Sequence, residues 1–435
     1  MKIAWFKKVI SPDVGAELAG YGPHDVSVMK LDDLCATGLL MDDGRKKALL
    51  VSFDLLGLDA WFIRRMRKFF AEALGTDENA VMFTCTHTHT GPHSRTINEG
   101  KTNILNKPYL ERLEKILRES VADLTALRPC EVYFYSAYCD ENRNRRYVTA
   151  DNRGSFTPHR REVISICERT HFADKEFGML FFFDPATGAP LYGIGNFAAH
   201  PLAGHAPGLG GLRISADYPG AFRDYVLAET GAEAMFVNGA AGDMVPKEDE
   251  LGSDAFRSMG VRLGKAFIGG MIDSQRNPGR FHLAEAKLGY ESRLFRVDFR
   301  ERYRNNPEML PQSFLGSDGA DLEVQCLSVG DVCFVGVPGE LCAEIGQEIK
   351  WHSPFRRTFV AYNSTAYFSY MGPANFLVQG GYEANNQRCT AAGGLELLNT
   401  ACTAMNALRE RVFPSAGERY PNANFGETVN IPPNR

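Results

Sequence analysis

Three of the ten histidines in this 435-residue chain stand within seven residues, in the segment TCTHTHTGPH (84–93). The segment follows an apolar run that is typical of a buried strand, and it contains a Gly-Pro pair. Because alternate residues of an extended chain point to the same side, His87 and His89 can reach one site. Imidazole nitrogens bind zinc and transfer protons near neutral pH. The spacing therefore indicates either a metal site with an adjacent proton-transfer group or a hydrogen-bonded strand end.

Two other predicted strand ends carry side chains that could complete a metal site. His200 follows a strand in GNFAAHPLAGH, with His205 in the glycine-rich loop beyond it, and the pattern taken alone favours a structural role for His200. Glu340 follows a Pro-Gly turn in VGVPGELCAEIG, where we expect a helix to begin. The helix dipole by itself explains a glutamate at that position, so the metal-site interpretation needs support from elsewhere in the chain.

Tyrosines and arginines mark two further segments. AYFSYMGPANFLVQGGYEANN holds Tyr367, Tyr370 and Tyr382, which their spacing alone assigns to packing. Arg145 and Arg146, in NRNRRY, could hold an anionic group of a substrate or form a solvated basic turn.

The composition excludes several classes of function. A net charge of −5 argues against a nucleic-acid-binding surface. No stretch approaches the roughly 18–20 apolar residues of a membrane span, and the N-terminus lacks the apolar run of a signal peptide, so we expect a cytoplasmic protein. The ten cysteines form no CxxC pair and are expected to be reduced, buried thiols. HExxH, Walker A and GxSxG motifs are absent from the sequence.

The elements that must position these residues alternate between strand and helix. The continuous apolar run at 46–58 predicts a strand buried on both faces, and 59–75 predicts an amphipathic helix. Further predictions are strands at 80–85, 130–138, 232–239, 287–299 and 357–363, hairpins at 177–197 and 323–339, and helices at 108–127, 218–230, 254–272 and 393–411. Without repeats or linkers, 1–435 is predicted to be one large α/β domain with mixed sheets and packed helices. Its tail, about 414–435, is expected to be mostly loop.

Taken together and in this order, the segments resemble the N-terminal catalytic domain of the neutral (non-lysosomal) ceramidase family, over roughly residues 10–400. The shared order and spacing of the motifs make the resemblance specific. Its motifs are AGYGPHDVSV, VSFDLLGL, THTHTGPH, NRNRR, GNFAAHP with ISADYPGAF, FVNGAAGDMVP, VPGELCAEIG, and the tyrosine pair Tyr370 and Tyr382.

The resemblance implies a neutral-ceramidase-like fold and one zinc ion per chain, held by His87, His200, Glu340 and Tyr370. It implies a substrate side formed by His89, Arg145 and Tyr382, with Gly20, Tyr21 and Arg146 as binding residues. The implied activity is hydrolysis of an amide (N-acyl) bond by water that zinc activates. Asp54 and Asp217 are expected to support the ligand histidines.

The chain departs from that family in three respects. A serine just before the family's Gly-Asp motif is replaced, because Ala240 and Ala241 precede Gly242-Asp243 here. The family's C-terminal immunoglobulin-like domain and its export signal are expected to be missing. We therefore expect a small soluble N-acyl substrate in place of ceramide. The alternatives are hydrolysis of an ester or glycoside on the same scaffold, or a non-catalytic binding protein. His93 and His205 receive no predicted role.

Overall fold

The computed structural model describes residues 1–21, 25–99, 102–104, 106–149, 153–156, 167–202, 212–247, 255–311, 314 and 316–414. His205, the glycine-rich segment 208–211 and the tail from 415 onward lie outside these residues.

Strands form most of the framework. In chain order they are β1 (Lys2–Val9), β2 (Ser27–Lys30), β3 (Cys35–Asp42), β4 (Lys47–Phe53), β5 (Val81–Cys85), β6 (Ile97–Glu99), β7 (Thr102–Ile104), β8 (Arg128–Pro129), β9 (Glu131–Tyr138), β10 (Asn142–Asn144), β11 (Arg146–Thr149), β12 (Gly154–Phe156), β13 (Cys167–Thr170), β14 (Glu176–Phe183), β15 (Pro190–Phe197), β16 (Leu212–Ile214), β17 (Glu233–Asn238), β18 (Met244–Pro246), β19 (Leu288–Asp298), β20 (Gly319–Val329), β21 (Val332–Gly336), β22 (Glu340–Leu341), β23 (Arg357–Ala361) and β24 (Tyr370–Met371).

Helices pack on the outside of the larger sheets. In chain order they are α1 (Ala60–Leu74), α2 (Lys107–Glu119), α3 (Asp217–Thr230), α4 (Ala255–Arg276), α5 (Pro278–Phe281), α6 (Glu301–Arg304), α7 (Ala343–Trp351), α8 (Ala374–Gln379), α9 (Tyr382–Asn386) and α10 (Ala392–Val412). No helix in the described ranges is long and apolar enough to cross a bilayer.

Three larger sheets carry the fold, and each ends in a parallel pair. Their strand orders are β5-β4-β3-β1-β8, β17-β15-β14-β9 and β19-β20-β21-β23. The pairs β4–β5, β15–β17 and β21–β23 are parallel, whereas the other neighbours in these sheets are antiparallel. Two parallel neighbours have their carboxyl ends at the same edge of a sheet. Functional side chains that follow the carboxyl ends of these pairs can therefore lie close together.

The continuous apolar run of β4 has a direct structural cause. Leu49, Val51 and Phe53 pack into a core shared with α1 and α2, while Ala48 and Leu50 face a second core between the sheets. A strand covered on both faces needs apolar residues at every position, because neither face meets water. The mixed α/β architecture agrees with the sequence prediction, and the cysteines with described side chains are free thiols, nearly all buried.

Two predicted elements need correction. The helix predicted over 108–127 is α2, which stops at Glu119 and continues as a 3-10 turn over Ser120–Thr125. Glu340 does not begin a helix: it lies in β22, and α7 starts at Ala343. The backbone amide of Glu340 donates to the carbonyl of Ser369, at 3.0 Å, because β22 pairs with β24. A strand partner remote in sequence therefore overrides the local helix signal.

Candidate metal centre

The ends of three parallel edge strands meet beside the TCTHTHTGPH segment. The side chain of Asn238, the last residue of β17, donates to the carbonyl of Thr86 just after β5, at 2.8 Å. Tyr362, just after β23, donates its backbone amide to the carbonyl of Asn238 at 3.0 Å. Thr84 in turn donates its hydroxyl to the Tyr362 carbonyl at 2.8 Å. These bonds fix the three strand ends relative to one another without a shared sheet.

His87 is held by its backbone and by its inner ring nitrogen. Its φ is +72°, a left-handed conformation that side chains other than glycine seldom adopt. The Nδ1 atom lies 2.7 Å from the carbonyl oxygen of Leu56, and the side-chain nitrogen of Asn363 lies 3.0 Å from the same Nδ1. Asn363 is also left-handed, with φ +44°. A proton on Nδ1 shared with a carbonyl leaves a lone pair on the outer nitrogen, Nε2.

His200 is oriented in the same way from another element. Its Nδ1 lies 2.6 Å from the carbonyl oxygen of Ala241 and 3.1 Å from that of Met244. Its buried Nε2 has no hydrogen-bond partner in the described residues. Burial, and next the positive charge of Arg145, lower the pKa of His200 to about 4. The ring is therefore neutral near pH 7, and its Nε2 presents an unused lone pair.

Glu340 lies between the two histidines and two tyrosines. Its Oε2 is 3.4 Å from His87 Nε2 and 3.3 Å from His200 Nε2. Tyr362 donates its hydroxyl to Oε2 at 3.1 Å, and Tyr367 donates to Oε1 at 2.5 Å. Burial acts to raise the pKa of Glu340, but the adjacent histidines outweigh it and hold that pKa well below its usual range. The group is a buried carboxylate aimed at two imidazoles.

His89 joins this group from the exposed side. Its Nε2 lies 3.2 Å from His87 Nε2, and the ligand atoms of His87, His89 and His200 all fall within 4.8 Å of one another. Burial and the two neighbouring histidines lower the pKa of His89 well below its ordinary value. Three imidazoles and one carboxylate are thus brought together.

The separations fit a metal ion. With ligand bonds of about 2.0–2.1 Å, a tetrahedral zinc site places neighbouring ligand atoms roughly 3.3–3.4 Å apart. The separations of His87 Nε2 from His89 Nε2 and from Glu340 Oε2, and of Glu340 Oε2 from His200 Nε2, are 3.2, 3.4 and 3.3 Å. Convergent lone pairs repel without a cation between them. The donor set therefore fits zinc or a similar divalent metal.

Tyr370 is placed next to Glu340 by strand pairing. The two residues are in-register partners of β22 and β24. The Tyr370 hydroxyl accepts a hydrogen bond from Arg145 Nη2 at 3.2 Å, and its ring lies 5.7 Å from the ring of Tyr382. Burial is the main cause that raises the pKa of Tyr370 well above its ordinary value. Its role as a fourth ligand remains a prediction.

The predicted substrate-side arginines are already occupied by protein groups. Glu383 accepts from Arg145 Nε at 2.7 Å and from Arg146 Nη1 at 2.8 Å, and all three side chains are buried. Arg145 also donates to the carbonyl of Gly242 at 2.8 Å, and Arg146 stacks on the ring of Phe376. Arg145 touches the site through Tyr370. The described contacts of Arg146 include Glu383, the carbonyl of Gly380 and the ring of Phe376. Its part in substrate binding stays a prediction, which these contacts do not favour.

Two other predicted binding residues, Gly20 and Tyr21, lie against His89. The ring of Tyr21 lies 5.3 Å from the His89 ring, edge-on. A Cβ atom at Gly20 would come within 2.7 Å of that ring, so only glycine permits this close approach. Tyr382 is 46% exposed, whereas its neighbour Tyr370 is buried. Gly20, Tyr21, His89 and Tyr382 thus form the open side of the centre.

The segment that lacks a serine has a positioning role instead. The carbonyl of Ala241 holds His200, and Gly242 packs so tightly that a Cβ atom would meet the backbone of Glu340 at 2.8 Å. Asp243 accepts from the backbone amide of Ala343, at the start of α7. Burial raises the pKa of Asp243 to about 6. The Gly-Ala-Ala-Gly-Asp run therefore fixes ligands rather than supplying a hydroxyl group.

Asp54 does not support the histidines as expected. Its carboxylate makes a two-point contact with Arg223 and accepts from the backbone amide of Cys35. Asp217 lies at the start of α3 with φ +59° and accepts from the amide of Tyr218. The inner nitrogens of His87 and His200 face backbone carbonyls instead. A carbonyl leaves no signature in sequence, because every residue carries one.

Sequence reasoning missed four side chains that support the site. Tyr362, Asn363 and Glu383 received no role, and Tyr367 was assigned to packing. A signal existed for one of them, because asparagine is among the residues that tolerate a left-handed backbone, and Asn363 follows a strand. The carboxylate Glu383 directly follows the predicted Tyr382, but its partners Arg145 and Arg146 are more than 230 residues away.

Comparison with solved structures agrees with this architecture. A crystal structure of neutral ceramidase from Pseudomonas aeruginosa matches with a TM-score of 0.73 at 16% identity, covering 94% of this chain and 74% of that chain. A structure of ceramidase complexed with C2 gives the same score and identity and covers 94% and 75%. No protein-family model and no curated protein matches the sequence. The chain has the mixed α/β fold of neutral ceramidase, as the order of its motifs predicted.

Proposed function

We propose that this chain is a zinc-dependent amidohydrolase that cleaves the N-acyl bond of a small, soluble substrate. The observation that carries the proposal is that Glu340 Oε2 lies 3.4 Å from His87 Nε2 and 3.3 Å from His200 Nε2, with His89 Nε2 3.2 Å from His87 Nε2. The likeness of the fold to neutral ceramidase supports the choice of an amide bond.

His87, His200, Glu340 and Tyr370 are the proposed holders of the zinc ion. Zinc in such a site supplies Lewis acidity, which polarises a carbonyl group and lowers the pKa of water. The carbonyls of Leu56 and Ala241 keep the inner nitrogens of the two histidines protonated, so their outer nitrogens stay available. The hydroxyls of Tyr362 and Tyr367 hold the carboxylate in place.

On the substrate side we assign His89 and Tyr382. Both reach the exposed edge of the buried cluster. Its lowered pKa keeps the His89 imidazole uncharged near neutral pH, so it could accept the proton that the attacking water releases and pass that proton to the amine that leaves. Arg145 acts through Tyr370, which it contacts at 3.2 Å, and is a positioning residue.

Metal analysis combined with a substrate panel tests the proposal. Purified protein is expected to hold about one zinc per chain, and His87→Ala to hold far less. The panel pairs N-acyl, ester and glycoside substrates with matched leaving groups. Metal-dependent cleavage confined to esters or glycosides would show that the protein is a hydrolase of another bond and not an amidase. Ligand binding without turnover of any of the three classes would support a binding protein.

A control variant separates metal loss from general damage. His352→Ala removes an exposed imidazole whose one ion pair in the described part of the chain is with Glu348, four residues earlier. It should keep the zinc content and the turnover of the unmodified protein. Equal zinc content in His87→Ala and His352→Ala would rule out the proposed centre.

A further inference from the structure

Two arginines beside the metal centre have no carboxylate partner in the described residues. Arg95 places its guanidinium carbon 4.2 Å from the centre of the Tyr367 ring. Its Nε is buried without a hydrogen-bond partner, and no hydrogen bond of the described part of the chain uses its two outer nitrogens. Arg388 donates one Nη to the carbonyl of Phe368 and forms no ion pair with a described carboxylate.

Tyr367 connects Arg95 to the centre. Its hydroxyl donates to Glu340 Oε1 at 2.5 Å, and its ring stacks at 6.1 Å and 16° on the ring of His87. Arg95 and Tyr367 are partly exposed, whereas His87 and Glu340 are buried. The guanidinium therefore lies one aromatic ring away from the cluster, on its more exposed side.

The two arginines lie against neighbouring residues of one segment, because Arg95 stacks on the ring of Tyr367 and Arg388 donates to the carbonyl of Phe368. Burial and next the charge of Arg95 lower the pKa of Arg388. Like charges held together in a partly buried place are unfavourable unless an anion lies between them. Arg145 and Arg146 differ, because they share the carboxylate of Glu383. The positive charge available to a ligand at this site thus belongs to Arg95 and Arg388.

We propose that Arg95 and Arg388 form an anion subsite and that the substrate is an N-acyl amino acid, whose carboxylate binds there. The inference rests on the proposed amidase function and names its substrate class. A carboxylate matches the planar guanidinium group, and in an N-acyl amino acid it lies two bonds from the amide nitrogen. This short separation between amide and carboxylate suits a positive charge that is separated from the metal ligands by the ring of Tyr367.

The reaction is a simple hydrolysis. Water adds its oxygen to the acyl carbon, the C–N bond breaks, and the nitrogen takes up a proton. N-hexanoylglycine would yield hexanoate and glycine, with no other reactant. The carboxylate at the subsite stays unchanged and serves only for binding.

Binding is tested without turnover by two ketones in which a CH2 group replaces the amide NH. 4-Oxononanoate carries the carboxylate, and 4-oxononanamide is its neutral isostere. Calorimetry on zinc-loaded protein should show about 10–100-fold tighter binding of the acid, the range for hydrogen bonds to a charged group. Arg95→Gln and Arg388→Gln should each reduce this preference to within about threefold. Arg302→Gln, an exposed arginine bonded to the carbonyl of Asn385, should retain it.

Turnover is then compared for N-hexanoylglycine and N-hexanoylglycinamide by hexanoate release. We expect kcat/KM to favour the acid about tenfold or more, chiefly through KM, and Arg95→Gln to remove the preference. Equal binding of the two ketones, or a preference unchanged in both arginine variants, would overturn the subsite. Acid-selective binding that depends on Arg95, without cleavage of either amide, would keep the subsite and overturn the hydrolase.

Discussion

Glu340 and Tyr370 are in-register partners across the two-stranded parallel sheet of β22 and β24. In-register partners point to the same face of a sheet, so the carboxylate and the phenol belong to one site. The pairing also explains why Glu340 lies in a strand and not at the start of a helix, as its local sequence predicts. The position of the Glu340 carboxylate in the centre therefore depends on this short sheet.

Replacing Glu340 by glutamine should remove most of the bound metal. Glutamine keeps the size of the side chain but loses the charge that balances a divalent cation. We expect zinc affinity to fall more than tenfold, measured by competition with a chromogenic chelator. Glu348→Gln, on helix α7, is the matched control because that carboxylate is partly exposed and, among the described residues, forms an ion pair only with His352. Unchanged zinc affinity in Glu340→Gln would remove this residue from the ligand set.

The two histidines of the His-Thr-His motif should behave differently. His87→Ala is expected to lose zinc, since its Nε2 lies 3.4 Å from Glu340 Oε2, the oxygen that also lies 3.3 Å from His200 Nε2. His89→Ala is expected to keep zinc and lose turnover about 10²–10⁴-fold, the range for a group that transfers a proton. Zinc content and kcat, measured on the same preparations, decide between these roles. Loss of zinc in His89→Ala would make His89 a ligand.

Asn363 is expected to affect the metal centre through His87. Asn363→Gly tolerates the left-handed backbone but removes the amide beside His87 Nδ1, whereas Asn363→Ala also introduces backbone strain. Both variants should weaken zinc binding about 10–100-fold. In addition, the free energy of unfolding of Asn363→Ala should be about 1 kcal/mol lower than that of Asn363→Gly. Zinc titration and urea unfolding of the metal-free variants separate the two effects. Wild-type zinc affinity in the glycine variant would contradict a supporting role.

Glu383→Gln should lower the free energy of unfolding. This effect is expected to act through the ion pairs of Glu383 and not through a direct contact with the metal ligands. It leaves two buried guanidinium groups without a counter-charge, which costs about 3–5 kcal/mol of unfolding free energy. Burial acts to raise the pKa of Glu383, but Arg145 and Arg146 outweigh it and lower that pKa below its ordinary value of 4.5. Stability from this carboxylate is therefore present above pH 4.5 and is lost as pH falls through the folded-state pKa.

The pH dependence supplies the check on Glu383. The difference in unfolding free energy between the unmodified protein and Glu383→Gln should be constant near neutral pH and should shrink below pH 4.5. Urea unfolding at a series of pH values measures it. A difference that grows on acidification would contradict the assigned ion pairs. Glu396→Gln, an exposed carboxylate on α10, is expected to show little effect at any pH.

Much of the fold was accessible from sequence because its signals are local. Continuous apolar runs predicted β4 and the hairpin β14–β15, since strands covered on both faces need apolar residues throughout. The helices α1, α3, α4 and α10 followed from periodicity and glycine or proline signals. The edges of the sheets were less accessible, because a two-residue strand such as β22 carries no pattern of its own.

For the candidate site, the sequence determined which residue types stand at which strand ends: His87 after β5, His200 after β15 and Glu340 beyond β21. The tertiary structure decided what those residues touch. It paired Glu340 with Tyr362 and Tyr367, occupied Arg145 with Glu383, and left Arg95 without a described carboxylate partner. The physical reason is separation along the chain. Arg145 and Glu383 are 238 residues apart, and whether a buried charge is neutralised depends on which distant carboxylate the packing brings to it.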